Sequence, residues 1–156
     1  MSASPELEPG ACRQLQALLA QDRLSERSFR DAGDHLYDAE LTALCYELAQ
    51  AHGDFARDLA SLLARQGQPV HDPPERPVER VTGWWRTVRR LATGQQAATL
   101  RRLERTEART RCRYDRALRR LRPPGVRRLL HRHHRSIRDA HRQLRTLRRR
   151  YAERVA

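Results

Sequence analysis

The sequence contains no lysine: all 32 of its basic residues are arginine. Ala and Leu are also abundant, so a GC-rich coding preference accounts for that choice as well as guanidinium chemistry does. Aromatic residues make up 5% of the chain and charged residues 33%, which excludes a β-sandwich and points to helices with a large solvated surface. Strand-like alternation of apolar and polar residues is also missing. No apolar run approaches the roughly 18 residues that a membrane span needs, and the opening Met-Ser-Ala-Ser-Pro-Glu has no basic region followed by an apolar one. A soluble, cytoplasmic protein with no membrane partner is therefore expected. Cys12, Cys45 and Cys112 are odd in number and far apart, which argues against a disulfide framework or a structural zinc site. They are expected to be reduced and packed. No Ser or Cys has a His set near it by spacing, so nucleophilic catalysis has no support.

What is present is 156 residues, enough for one core and too few for two. Residues 1–10, with Pro5, Pro9 and Gly10, read as a disordered tail ahead of a single domain over 11–154. Leu15, Leu18, Leu19, Phe29, Ala32 and Leu36 recur at helical spacing and predict a first helix over 11–36. Asp22 and Glu26 fall on the same stripe, so its interior is interrupted by acid. A short link at 37–39 predicts an antiparallel hairpin with a second helix over 40–66, built on Leu41, Leu44, Leu48, Phe55, Leu59 and Leu62. His52 sits at the border of that face.

Pro69, Pro73, Pro74 and Pro77 rule out a continuing helix. Residues 67–94 are expected to form a long crossover carrying a short extra helix over 78–92, which places Trp84 or Trp85 with Val88 and Leu91. A third helix over 95–121 puts Glu107, Thr110 and Tyr114 on its inner stripe beside Leu100, Leu103 and Leu121. After Arg122-Pro123-Pro124-Gly125 a fourth helix over 125–154 presents Val126, Leu130, His133, Ile137, His141, Leu144 and Leu147. Four amphipathic helices, two tight hairpins and one long central crossover predict an all-α, ferritin-like four-helix bundle.

Charge divides along the chain. Residues 1–80 hold 14 acids and eight arginines, and residues 81–156 hold five acids and 24 arginines, for the overall +13. Opposite halves of this kind suit intramolecular docking, a homodimer, or a polyanionic partner.

Several segments resemble a bacterial family of ferritin-like four-helix bundles catalogued only as a domain of unknown function. The similarity covers about residues 11–150. It is carried by Ser25-Glu26-Arg27-Ser28-Phe29-Arg30-Asp31-Ala32-Gly33-Asp34, by Asp38 through Leu59, and by Trp85 through Thr93-Gly94. Glu104-Arg105-Thr106-Glu107, Tyr114 and Ala117-Leu118 are similar to its third helix, with Thr106 where the family has glycine. Pro123-Pro124, Val126, Leu129-Leu130, Ile137 and Ala140-His141 resemble its last helix. The resemblance implies a fold and leaves the activity open, so function has to be argued from the site.

A di-iron carboxylate bundle needs a lone Glu from each of two helices and Glu-x-x-His from the other two. Glu-x-x-His occurs nowhere in the chain. Arg138 stands three residues before His141, Ala49 three before His52, and Ala51 where the family resemblance implies a Glu. The candidate metal ligands are Glu26, Glu107, His141, His133 and His52, with iron or another divalent metal as the ion. The competing expectation is that these side chains form hydrogen-bonded pairs in the bundle, because each buried polar group needs a partner. His131, His133 and His134 tempt a zinc or nickel reading, but residues two apart on a helix point away from each other.

The leading expectation is a non-enzymatic bundle with a structural or interaction role, a degenerate or absent di-iron site and no cofactor. A ferritin-like oxidase is the enzymatic alternative. Sequence-nonspecific nucleic-acid or other polyanion binding is the second function class, with Arg101, Arg105, Arg109, Arg116, Arg128, Arg135, Arg142 and Arg145 as its candidate contacts. Weak metal binding in the bundle core is the third.

Overall fold

In a computed structural model the chain forms four helices packed against one another; the structure describes residues 7–70 and 94–155. The helices are α1 (Pro9–His35), α2 (Ala39–Arg65), α3 (Gly94–Arg120) and α4 (Pro124–Val155). The short helix expected over 78–92, with Trp84 and Trp85, lies outside the described residues.

Local chemistry sets each boundary. Pro9 stands at the start of α1, where its fixed φ and missing N–H cost nothing. The helix therefore begins inside the stretch expected to be a tail. Asp38 caps α2, its side chain accepting from the Leu41 amide at 3.0 Å. At the other end of α2, Gly67 adopts φ 66°, and the amides of Gly67 and Gln68 turn back onto the carbonyls of Ala64 and Leu63. Arg127, from the first turn of α4, donates to the Leu118 and Leu121 carbonyls and closes the C-terminus of α3.

The apolar core falls into two clusters whose membership gives the helix directions. One joins the first half of α1 (Cys12, Leu15, Leu18, Leu19) to the second half of α2 (Ala56, Leu59, Leu63), the second half of α3 (Tyr114, Ala117, Leu118) with Leu121 just beyond it, and the first half of α4 (Val126, Leu130, Ile137). The other joins the complementary halves through Phe29, Leu41, Cys45, Leu48, Leu100, Leu103, Ala140 and Leu144. Helices α1 and α4 thus run parallel to each other and opposite to α2 and α3. Consequently α2 ends at one end of the bundle and α3 begins at the other. Leu15, Leu59, Leu100, Leu130 and Leu144 are fully buried, and truncating any one to Ala costs ~2–5 kcal/mol. Cys12 and Cys45 are packed as expected; Cys112 is exposed on the outer face of α3, three and four residues from Arg109 and Arg116. No helix among the described residues is long and apolar enough to cross a membrane.

Candidate functional site: a polar waist between two apolar halves

Between the two clusters lies a layer of buried polar side chains drawn from every helix. Asp22 and Ser25 come from α1, His52 from α2, Glu107, Thr110 and Tyr114 from α3, and His133 from α4. On α3 the spacing 107, 110, 114 brings three polar groups onto one helical face.

At its centre His52 is 1% exposed, and its ring is held from both sides. Nδ1 lies 2.9 Å from Asp22 Oδ1, and Nε2 lies 3.0 Å from Glu107 Oε2, both carboxyl groups being fully buried. Burial by itself pushes His52 down. The hydrogen bonds to Asp22 and Glu107, with the charges of both groups, overcome it and push the imidazole up to about 9. At neutral pH it is therefore an imidazolium that donates from both nitrogens. Phe29 stacks on it, with centroids 5.6 Å apart and planes 8° from parallel, and Phe55 meets it edge-on at 5.5 Å. The aromatic contacts fix the ring's tilt and add a cation–π attraction.

Asp22 uses its second oxygen as well, accepting from the Tyr114 hydroxyl at 2.6 Å. Burial first, and then the charge and hydrogen bond of Asp22, hold Tyr114 well above its ordinary range, so the phenol keeps its proton. The same hydroxyl lies 3.2 Å from His133 Nδ1, and His133 Nε2 reaches Asp58 Oδ2 at 3.0 Å. Asp58 is half-exposed and also faces Arg132 at 3.7 Å. Burial lowers His133, and the hydrogen bond to Asp58 only partly offsets it. A neutral His133 has one ring proton. Assigned from the network, that proton sits on Nε2 and is donated to Asp58, which leaves Nδ1 facing a Tyr114 oxygen whose hydrogen points to Asp22.

The outcome is one chain of polar contacts through four helices: Asp58, His133, Tyr114, Asp22, His52, Glu107. Beside it Gln21, Ser25 and Thr110 form a neutral cluster. Ser25 Oγ and Thr110 Oγ1 lie 3.0 Å apart, Gln21 Nε2 donates to Thr110 at 3.1 Å, and the Thr110 hydroxyl also reaches the Thr106 carbonyl at 3.0 Å. Within the waist Glu107 Oε1 has no hydrogen-bond partner among the described residues.

The structure brings together some of the expected ligands and separates others. His52 and Glu107 touch. His133 is three contacts away from His52, through Tyr114 and Asp22. Glu26 lies apart at the surface, 3.0 Å from Arg30, against Gly53. A Cβ at Gly53 would stand 3.1 Å from the Glu26 carboxyl carbon, so the glycine makes room for that outward course. His141 has Arg111 Nη1 at 3.4 Å from Nδ1, and burial followed by that guanidinium lowers it. His134 pairs with Asp115 at 2.8 Å, and His131 is exposed, so the three neighbouring histidines have three different surroundings. Arg101, Arg105, Arg109, Arg116, Arg128, Arg135, Arg142 and Arg145 are all exposed.

Asp22, an acid on an apolar stripe, stands at the centre of the network although it is not among the expected ligands, and neither are the Tyr114 hydroxyl and Asp58. The signal for Asp22 was available: Gln21, Asp22 and Ser25 form a polar cluster on the first helix, level with Glu107 and Thr110 in an antiparallel neighbour.

The donor set does not fit a di-iron centre. Both nitrogens of His52, both oxygens of Asp22 and both nitrogens of His133 already face protein groups, which leaves Glu107 Oε1 as the spare carboxylate oxygen of the waist. Hard divalent cations need four to six donors. Among the described residues no three His, Cys, Asp or Glu side chains are arranged to hold a metal ion. Compared with known proteins, the chain matches no family model and no curated protein sequence.

Proposed function

We propose that this chain is a ferritin-like helical bundle with a structural or interaction role, non-enzymatic, in which a protonated histidine occupies the position between carboxylates that a metal ion takes in di-iron bundles. One observation carries the reading: His52, at the centre of the bundle, has one ring nitrogen 2.9 Å from Asp22 and the other 3.0 Å from Glu107, both carboxyl groups being fully buried. An imidazolium has no lone pair for a metal, and its positive charge already sits between the two buried carboxylates. The helix directions support the fold half of the reading, since a parallel α2 and α3 between two antiparallel hairpins is the arrangement of bundles with one long crossover.

The test is iron loading. Untagged protein incubated with ferrous iron in air is expected to retain no iron after desalting and to develop no oxo-bridge absorbance. Two irons per chain by elemental analysis would overturn the reading.

A further inference from the structure

The bundle's outer surface is as uneven as its core is ordered. Helices α3 and α4 carry 20 arginines against five acids, while α1 and α2 carry six against eight. On α4, Arg128, Arg132, Arg135, Arg142 and Arg149 are all exposed. At about 100° per residue they fall within one arc of roughly 100°, opposite the buried stripe of Val126, Leu130, Ile137 and Leu144. They stand 4, 3, 7 and 7 residues apart, one or two turns each, along ~32 Å of helix at ~1.5 Å per residue. The chain neutralises two of the five itself: Arg132 faces Asp58 at 3.7 Å and Arg142 pairs with Asp139. Among the described residues Arg128, Arg135 and Arg149 have no carboxylate within salt-bridge reach, nor do Arg105, Arg109 and Arg116 on the outer face of α3.

The residues missing from this surface narrow its partner. The exposed large apolar side chains of the described residues are Leu24, Tyr37, Tyr46 and Val70, all on or beside α1 and α2. Without an apolar or aromatic anchor, the α4 face cannot insert into a bilayer or stack unpaired bases, and it lacks the buried hot spots of a protein–protein interface. What it offers is a row of guanidinium groups along one face of a helix. The surface complementary to that row is an extended row of anions on a stiff body.

We propose that the α4 arginine row docks on the phosphate backbone of double-stranded nucleic acid, without reading its sequence. Each arginine can take a phosphate in a bidentate contact and release a condensed counterion. This names a partner for the interaction role proposed above but does not depend on the chemistry of the waist. Iron uptake would sink that reading and leave this one standing, and failure to bind a duplex would do the reverse.

The experiment is fluorescence anisotropy of a labelled 24-base-pair DNA of arbitrary sequence with the full chain. With about three phosphates neutralised by Arg128, Arg135 and Arg149, affinity is expected to fall about fortyfold between about 50 and 200 mM salt, equally for a second unrelated sequence. In the triple variant Arg128→Glu, Arg135→Glu, Arg149→Glu the row's salt dependence should nearly disappear, with weaker binding at low salt. A control triple, Arg13→Glu, Arg27→Glu, Arg57→Glu, alters net charge equally on the other half and should bind like wild type. Should the glutamate triple fail to fold by circular dichroism, the Gln triple at the same α4 positions replaces it. No binding at 50 mM salt, equal losses in both triples, or tighter binding to single strands or phosphatidylglycerol vesicles than to duplex would each overturn the proposal.

Discussion

His52 and His133 lie in the same layer, touch the same ring of Phe55, and each meet a carboxylate, yet they are displaced in opposite directions. His52 is pushed up to about 9 and His133 is lowered. His133 stacks on Phe55 with centroids 4.3 Å apart, and it meets one half-exposed carboxylate and a tyrosine. His52 meets two carboxylates that are fully buried. Burial acts against the charged form of both rings. The number and depth of the facing carboxylates therefore decide which ring carries charge.

Removing His52 should have the largest effect. His52→Leu leaves Asp22 and Glu107 buried without their cation, and a loss of ~3–5 kcal/mol in urea unfolding at neutral pH is expected. A change below about 1 kcal/mol would mean that the ring is not the partner of both carboxylates. The variant should also lose a pH dependence. A folded-state value raised above the unfolded 6.5 contributes stability that is fully present below 6.5 and disappears as pH rises through about 9. The wild type should therefore weaken across that alkaline window and the Leu variant should not. His133 has the reverse sign: its folded-state value is lowered, so the stability it contributes is lost as pH falls below 6.5.

A smaller difference separates the two acids. Both Asp22 oxygens accept hydrogen bonds, one from His52 and one from Tyr114, so in Asp22→Asn the amide turns a donor toward one of two donors. Glu107 engages one oxygen and leaves the other without a partner. Asp22→Asn should cost ~2–3 kcal/mol and Glu107→Gln about 1 kcal/mol, by thermal or urea unfolding of the pair side by side. An inverted order would contradict the proton assignment in the waist.

Much of this was legible in the chain, and the boundary between what was and what was not is physical. Periodicity placed every described helix to within two residues and put Glu107, Thr110, Tyr114 and His133 on inward stripes, because a 3.6-residue repeat reports which face is buried. It did not report rotation or height. Asp22 and Glu26 share a stripe at a spacing of four, yet Asp22 points to the centre and Glu26 to the rim. That choice depends on Gly53 of the neighbouring helix, whose missing side chain admits Glu26. His52 looked like a border residue because Leu48 and Phe55 flank it. Its central position follows from two carboxylates on other helices at separations of 30 and 55 residues, which spacing along one helix cannot encode. The arginine rows on α3 and α4 were readable as faces, and the structure adds which members remain unneutralised.

The protonation state of His52 tests the account most directly. In a 15N-labelled sample, long-range 1H–15N spectra of the imidazoles across pH 5 to 10 report which ring nitrogens carry protons. The account predicts that at pH 7 both His52 nitrogens are protonated and titrate near 9, while His133 carries one proton and titrates below 6.5. A His52 ring with a single protonated nitrogen at pH 7 would contradict it.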